Sequence, residues 1–220
     1  SCCPGFVNMI KNHYPELLDK VSTAVSPMCA VSRMIKAKQP NAVTVFIGPC
    51  IAKKSEAKDH NIEGNVDYAL TYSEVRAIMK AKGVELLPAD NNYQESSTYG
   101  KRFGNSGGVT AAVLEYMKEK DYDCDPKVCK ANGAAECKKA LLMLKAGKLT
   151  EDFIEGMACV GGCVGGPSAF KDQMLSKKDR DALIEQADAR TIVGNLGQYD
   201  MNKFSMHRVE HGEEAGNLAE

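Results

Sequence analysis

NAVTVFIGPC, residues 41–50, is a short β-branched run that ends at a glycine, a proline and a cysteine. An unbroken apolar run of this length is typical of a buried parallel strand, here Asn41–Ile47. A second strand is predicted over Val66–Leu70, and the capping box Thr71–Glu74 then begins a helix that Gly83 ends. This alternation of strand and helix predicts an α/β layer architecture.

Glycine and proline divide the rest of the chain into further predicted elements. We expect two short helices over residues 7–24, interrupted at Pro15, and further helices over Ser26–Ile35, Val109–Glu119, Ala140–Leu144 and Ser176–Ala187. A short strand is predicted over Phe153–Met157, a long loop over Tyr93–Gly108 and irregular structure over Asp123–Glu136. Two lobes that meet near Gly100 would accommodate these elements.

The composition is that of a globular protein. The 220 residues carry a formal net charge of −1, with 44% hydrophobic and 26% charged residues. The near-neutral charge argues against a dedicated nucleic-acid-binding protein, and no apolar run reaches the roughly 20 residues that span a membrane. The chain has 9 cysteines, and an odd number cannot all pair with one another. We therefore expect a reducing, cytoplasmic location in which thiolates serve metal binding or catalysis.

Most of the cysteines fall in three short motifs. The motifs are SCCPGF (1–6), GPCIAKK (48–54) and EGMACVGGCVGGP (155–167). Because Cys159 and Cys163 are four residues apart, we expect both thiolates on one face of a helical turn. The glycines between them would let a bulky group approach the backbone.

Thiolates from three separate places suit an iron–sulfur cluster or a zinc ion. Zinc usually takes paired CxxC motifs, which this sequence lacks, so the spacing favours a cubane cluster. The alternative is that these residues are buried structural thiols, as free cysteines often are. The same alternative applies to Cys29, Cys124, Cys129 and Cys137, which could otherwise form a second cluster.

Two further side chains carry chemistry beside these motifs. Adjacent cysteines cannot easily bind the same cluster, so one of Cys2 and Cys3 is spare. A spare thiol near a redox centre is a candidate proton donor. Lys53 follows Cys50 by three residues, and its ammonium could hold an anionic ligand through charge-assisted hydrogen bonds. The alternative for Lys53 is an ordinary surface lysine.

The three motifs together closely resemble those of the iron-only ([FeFe]) hydrogenases, specifically the C-terminal part of their H-cluster domain. They are similar to the family motifs TSCCP, PCxxKxxE and ExMxCxxGCxxGG, and the resemblance extends over Ser1–Phe170. It implies a two-lobed α/β fold of mostly parallel sheets flanked by helices, with the cluster site between the lobes and an N-terminal part missing. Residues 1–198 would form a partial H-cluster catalytic domain, and residues 199–220 a polar C-terminal tail.

The resemblance implies a set of cluster ligands. Cys3, Cys50, Cys159 and Cys163 would hold a [4Fe–4S] cubane. Cys163 would also bridge this cubane to a di-iron subcluster that carries CO, cyanide and an azadithiolate. Cubane and subcluster together are the H-cluster.

The resemblance also implies catalytic roles. Cys2 would pass protons to the bridgehead amine of the azadithiolate, Lys53 would donate a hydrogen bond to a cyanide, and Met157 would pack against the di-iron unit. Ser22 matches a serine of the family's proton path. Phe6 and Gly48 are among the positions that depart from the family pattern. Phe6 stands where a tryptophan is usual, and Gly48 stands where many members have a methionine, which would leave that side of the di-iron unit less packed.

The function implied is the reversible reduction of protons to dihydrogen. Electrons would come from ferredoxin or another electron carrier, and an upstream ferredoxin-like domain or subunit could deliver them. No nucleic-acid or membrane partner is expected. Three alternatives stay open: a hydrogen-sensing or signalling protein with an H-cluster, an iron–sulfur-binding assembly protein without the di-iron subcluster, and a zinc-stabilised domain.

Overall fold

The computed structural model describes residues 2–85, 96–187 and 190–208. Its α-helices are α1 (Pro4–His13), α2 (Pro27–Lys38), α3 (Ala52–Ala57), α4 (Tyr72–Ala81), α5 (Thr98–Arg102), α6 (Gly108–Glu119), α7 (Ala134–Lys145), α8 (Gln173–Glu185) and α9 (Ile192–Leu196). Its strands are β1 (Val45–Gly48), β2 (Tyr68–Thr71), β3 (Val128–Asn132) and β4 (Phe153–Met157). Short 3₁₀ turns span Pro15–Lys20, Cys163–Gly165 and Met201–Lys203. None of the described helices is long and apolar enough to cross a bilayer.

The first sheet pairs β1 with β2 in parallel, with Val45 opposite Tyr68. Asp67, directly before β2, fixes this register. Its carboxylate accepts hydrogen bonds from the backbone N–H of Thr44 at 2.7 Å and from the Thr44 hydroxyl at 2.9 Å. These bonds, with one from Lys36, lower the pKa of Asp67 to about 2, so the clamp is charged at neutral pH.

The helix starts that the sequence predicted are confirmed at two positions. Ser26 caps α2 by accepting a hydrogen bond from the backbone N–H of Cys29. Thr71 and Glu74 form the capping box of α4, in which each side chain accepts from the backbone N–H of the other residue. Both caps satisfy N–H groups that have no partner within their own helix, so they set where each helix begins.

The burial predicted for the first strand is wrong, although its parallel pairing is confirmed. Val43, Val45 and Ile47 alternate along one face and are 69%, 47% and 50% exposed. The opposite face lies against α2, where Ser32 Oγ is 3.0 Å from Thr44 Oγ1. Within the described residues this two-stranded sheet is therefore enclosed on one side. The unbroken apolar run indicated the strand but carries no information on how many layers cover it.

The second sheet pairs β3 with β4 in parallel, with residues Val128–Asn132 opposite Phe153–Met157. The strand predicted at Phe153–Met157 is confirmed. The irregular structure predicted over Asp123–Glu136 is wrong where β3 lies. The sequence of β3 includes the exposed Lys130 beside the buried Ala131. In a strand of five residues, one charged residue is enough to interrupt the apolar pattern that predicts a strand.

Two helices also differ from the predictions. Helix α5 lies within the region predicted as a long loop, and begins where the hydroxyl of Ser97 accepts a hydrogen bond from the N–H of Gly100. Residues 93–95 of that predicted loop lie outside the described residues. Helix α7 begins at Ala134 instead of Ala140, because Cys137 already faces the core in its first turn.

Three apolar clusters form the core. Their buried members are Ile10, Tyr14, Leu17 and Leu141 in the first, Val25, Cys29, Ala30 and Ile62 in the second, and Ala131, Cys137 and Ala140 in the third. Cys29 and Cys137 are each 0% exposed and lie in different clusters. Burial raises the pKa of Cys137 to about 12, so this thiol stays protonated. These two cysteines are core residues and do not converge on a second metal site.

Residues near the end of the described chain are attached to the beginning of the fold. Ala24 and His207 form an antiparallel bridge, and the guanidinium of Arg33 donates hydrogen bonds to the carbonyls of Glu63, Ser205 and His207. The division predicted after residue 198 stays a prediction, and residues 209–220 lie outside the described part.

One buried carboxylate joins the second sheet to helix α6. Glu155, on β4, is 4% exposed. Its carboxylate accepts hydrogen bonds from the N–H groups of Gly107 and Thr110, both at 2.8 Å, and from the Thr110 hydroxyl. An anion at a helix N-terminus satisfies free N–H groups and interacts favourably with the helix dipole. Glu155 therefore fixes where the end of β4 lies relative to α6.

We expect Glu155→Gln to lower the free energy of unfolding of the full chain by about 2 kcal/mol. Glutamine carries one acceptor oxygen instead of two, and its NH₂ group would face buried N–H donors. Urea denaturation followed by circular dichroism would measure the change. Glu136→Gln is the matched control, because this exposed side chain accepts one hydrogen bond, from Asn132 N–H. Equal losses in the two variants would contradict the role given to Glu155.

Candidate metal centre

The first and third cysteine motifs meet at the start of α1. The backbone N–H of Ala158 lies 3.5 Å from the sulfur of Cys3 and donates to it. A Cβ atom added at Gly5 would lie 3.0 Å from the Cβ of Ala158, 3.8 Å from Cys3 Sγ and 3.9 Å from the Cβ of Ala52. Ala52 belongs to the second motif. Gly5 is therefore where all three motifs approach one another, and a larger residue there would separate them.

The second and third motifs meet again on the other side of the cysteines. The N–H of Ser168 donates to the carbonyl of Pro49 at 3.0 Å, and a Cβ added at Gly166 would lie 2.8 Å from the same oxygen. The N–H of Cys163 donates to the carbonyl of Gly104 at 2.7 Å. Hydrogen bonds from main chain to main chain thus fix Cys163 against the loop before α6 and Ser168 against the residue before Cys50.

The turn between Cys159 and Cys163 is not the helical turn that the spacing predicted. Gly161 and Gly162 have φ angles of +77° and +88°, in the left-handed region that L side chains rarely adopt. A Cβ at Gly162 would also lie 2.2 Å from the carbonyl of Gly104. The two cysteines are therefore placed by a glycine turn, and substitution of Gly162 would be opposed by both strain and contact.

The candidate ligand thiols influence one another electrostatically. Burial is the largest cause that raises the pKa of Cys159, and the next causes are Cys3 and Cys50. The same three causes raise the pKa of Cys163 to about 11. Although Cys163 retains an exposed surface, the surrounding protein atoms desolvate its thiol. Without a cation, the thiols of Cys159 and Cys163 are neutral, and binding iron would release their protons.

The arrangement suits a cluster better than a single ion. Among the described residues, no group of three or more His, Cys, Asp or Glu side chains is close enough to hold one metal ion. The charges of Cys3 and Cys50 nevertheless act on the thiols of both Cys159 and Cys163, and the charge of Cys3 acts on Cys50. Thiolates are the ligands that iron–sulfur clusters use, and a cubane spans more space than one ion. The chemistry of this donor set is therefore that of an iron–sulfur cluster.

Lys53 is a buried residue and not a surface lysine. It is 7% exposed, and its ammonium donates to the carboxylate of Glu56, which is 5% exposed, at 2.7 Å. The second oxygen of Glu56 is buried without a hydrogen-bond partner in the described part of the chain. Lys54, by contrast, is half-buried and pairs with the half-buried Glu74. The ammonium of Lys53 can make three hydrogen bonds, so it retains donors for an anionic ligand.

Cys2 lies beside the candidate ligands without belonging to the same set. Burial raises the pKa of its thiol, and the charges of Cys3, Glu155 and Lys53 also act on it.

Met157, at the end of β4, is 3% exposed. Ser22 is exposed, and its hydroxyl accepts from the N–H of Ala24.

Phe46 is a residue near the site that sequence reasoning missed. A Cβ added at Gly48 would lie 2.7 Å from the Phe46 ring, so the ring covers the place beside this glycine. The ammonium of Lys53 is 6.0 Å from the centre of the same ring. The signal that could have revealed Phe46 was Gly48 itself, since a glycine in a strand often marks close approach by another group.

Comparisons with known proteins identify relatives of this chain. The family model described as "Iron only hydrogenase large subunit, C-terminal domain" matches residues 1–167. The periplasmic [Fe] hydrogenase large subunit of Nitratidesulfovibrio vulgaris is 32% identical, over 82% of this chain and 53% of its own length. Iron hydrogenase 1 of Clostridium pasteurianum is 32% identical, over 96% of this chain and 43% of its own. The chain thus spans about half of the length of these relatives.

More distant relatives include proteins that are named for a different function. The cytosolic Fe-S cluster assembly factor narfl of Xenopus tropicalis is 24% identical, over 84% of this chain and 49% of its own length.

Solved structures share the fold. A chain from a structure concerned with [FeFe]-hydrogenase oxygen inactivation has a TM-score of 0.68 at 22% identity, and the match covers 96% of this chain and 71% of that one. A variant of the [FeFe]-hydrogenase HydA1 from Chlamydomonas reinhardtii has a TM-score of 0.61 at 24% identity, covering 87% and 67%. The predicted α/β fold and the family resemblance are both confirmed, and the chain belongs to the iron-only hydrogenase large-subunit family, C-terminal domain.

Proposed function

We propose that this chain is part of the catalytic domain of an iron-only hydrogenase and reversibly reduces two protons with two electrons to dihydrogen. Cys3, Cys50, Cys159 and Cys163 would hold a [4Fe–4S] cubane, and Cys163 would also contact a di-iron subcluster with CO, cyanide and azadithiolate. The observation that carries the proposal is the approach of all three cysteine motifs at Gly5. Electrons would come from ferredoxin or another carrier.

When bound, the iron group would supply the centre at which electrons and protons combine. The chain's own part is to place a proton donor there and to keep water away. The raised pKa of Cys2 leaves its thiol protonated at neutral pH, so it holds a proton that it can donate. Met157, the last residue of β4, is buried and apolar, and it lies on the same face of the strand as Glu155.

Lys53 and Glu56 would position an anionic ligand. Burial of an ammonium is costly unless it is paired, and Glu56 provides the pair at 2.7 Å. The remaining N–H groups of Lys53 would then donate to a ligand such as cyanide. Phe46, against Gly48, would take the place that a methionine fills in many family members. Ser22 would belong to a proton path that leads to Cys2.

A second candidate function is that of an iron–sulfur assembly factor. It is favoured by the relatives that bear this name, one of them 24% identical. The combination of the half-buried Cys2 and the buried Lys53–Glu56 pair favours the hydrogenase, because a protein that holds only a cubane needs neither a spare thiol nor a buried cation beside it.

The first test concerns the cubane. After anaerobic reconstitution with iron and sulfide, we expect about four irons per chain and visible iron–sulfur absorbance. Cys50→Ser should lower the iron content markedly, since one of four ligands becomes a harder oxygen donor. Cys124→Ser, a change at an exposed cysteine outside the three motifs, is the control and should bind iron as the unaltered chain does. Tight zinc in place of iron would contradict the proposal.

The second test separates proton delivery from cluster binding. We expect Cys2→Ala to retain its iron and its CO and cyanide infrared bands, and to lose dihydrogen evolution by about 100-fold or more. Reduced methyl viologen can supply the electrons, so that no protein partner is needed. Cys124→Ala should keep full activity. Unchanged turnover in Cys2→Ala would exclude this thiol as the proton donor.

The third test concerns the buried ion pair. Lys53→Asn removes the ammonium, so we expect it to keep the cubane and to lose much of the iron of the di-iron unit. Metal analysis and the cyanide infrared bands would report this loss. Because Glu56 would then carry an unpaired buried charge, Lys53→Asn/Glu56→Gln is measured alongside to separate folding from ligand binding. Full retention of the di-iron unit in both variants would contradict the role given to Lys53.

A further inference from the structure

The peptide unit between Val160 and Gly161 lies in the turn that separates two of the candidate ligands, Cys159 and Cys163. The turn's own backbone hydrogen bond runs from the N–H of Gly162 to the carbonyl of Cys159 at 3.0 Å. Both polar atoms of the Val160–Gly161 peptide unit are therefore left for partners outside the turn.

Two amide side chains from distant parts of the chain bind these two atoms. The N–H of Gly161 donates to Asn132 Oδ1 at 2.7 Å, and the carbonyl of Val160 accepts from Gln173 Nε2. Asn132 is the last residue of β3, and Gln173 is the first residue of α8. One peptide unit is thus bound at both its donor and its acceptor by side chains that lie outside the three cysteine motifs.

The side chain of Gln173 also packs against the turn. A Cβ atom added at Gly161 would lie 2.2 Å from Gln173 Nε2, and one added at Gly165 would lie 3.4 Å from the same nitrogen. Gln173 is not needed to begin α8, since the carboxylate of Asp172 caps this helix by accepting from the N–H of Met174. The contacts of the Gln173 side chain are therefore with the cysteine turn.

A turn that contains two glycines needs such partners. Gly161 and Gly162 both have positive φ angles, and glycine loses more conformational freedom than any other residue when it is fixed. The free turn would have many alternative conformations, and they would place the sulfurs of Cys159 and Cys163 at different distances. Hydrogen bonds to both ends of one peptide unit exclude most of these conformations.

We infer that Asn132 and Gln173 are positioning residues for the proposed cluster, because they fix the peptide unit between Cys159 and Cys163 and thereby the places of these two ligands. The inference rests on the proposed function, since the two cysteines are ligands only if the chain binds the cubane. It extends the metal centre beyond the three motifs. Gln173 also lies beyond residue 167, where the match to the family model ends.

The first measurement needs no iron. Hydrogen exchange of the Gly161 amide, followed by NMR in the full iron-free chain, reports directly on its hydrogen bond to Asn132. We expect Asn132→Ala to raise this exchange rate about fivefold or more, because the acceptor is lost. Asn132→Asp should keep the amide protected, because a carboxylate oxygen can accept the same bond. Asn202→Ala changes an exposed asparagine outside this contact and should leave the rate unchanged.

The second measurement follows the cubane after reconstitution. Gln173→Glu keeps the size of the side chain and removes its N–H donor. We expect it to lose iron to a ferrous-iron chelator about fivefold faster or more, and to alter the EPR spectrum of the reduced cubane. Gln186→Glu makes the same change at an exposed residue at the other end of α8 and should behave as the unaltered chain does.

A third substitution at this position separates loss of the donor from added charge. Gln173→Met lacks the donor and carries no charge, so we expect it to release iron as fast as Gln173→Glu does. Urea denaturation of the iron-free variants checks that each of them folds.

Two results would overturn the positioning inference. One is an unchanged exchange rate of the Gly161 amide in Asn132→Ala, and the other is iron release in Gln173→Glu and Gln173→Met at the rate of the unaltered chain. A chain that shows the expected exchange rates and binds no iron contradicts the proposed function alone. A chain that binds about four irons, whose release both Gln173 variants leave unchanged, contradicts this inference alone.

Discussion

The close approach of three backbone segments at Gly5 is the constraint on which the candidate metal centre depends. The first turn of α1, the residues after β1 and the residues after β4 come from distant parts of the sequence. They meet where a single Cβ atom would already lie 3.0 Å from Ala158. Packing at this density leaves no room for a side chain, so the glycine sets the distance between the segments. This distance in turn determines where the cysteines lie, since each is within a few residues of the contact at Gly5.

Buried polar groups then hold these segments in place. Glu155 connects β4 to the N-terminus of α6, and the Lys53–Glu56 pair lies inside the short helix that follows Cys50. Glu155 is paired with N–H and hydroxyl donors of α6, and Lys53 with one oxygen of Glu56, as burial of charge requires. In the family motifs these acids stand among the cysteines. The structure gives them a positioning role, since both fix the chain next to a proposed ligand without being ligands themselves.

The sequence allowed the family, the α/β architecture and the strands that precede the second and third motifs to be predicted. These features rest on local patterns: a β-branched run before Cys50, a capping box at Thr71 and cysteines at fixed spacing. The predictions failed where tertiary contacts, and not the local sequence pattern, determine the conformation. The turn after Cys159 was predicted as helical from its spacing, whereas Gly161 and Gly162 adopt left-handed angles. Strand β3 was missed because Lys130 interrupts a run of five residues.

Phe46 shows the same limit in the site itself. A phenylalanine in a strand predicts only an apolar contact, and which contact depends on neighbours that the sequence does not place. The glycine two residues later was interpreted as loss of packing near the di-iron unit. In the folded chain the Phe46 ring covers Gly48 and lies 6.0 Å from the ammonium of Lys53. The two positions therefore compensate one another, and neither could be assigned from the sequence by itself.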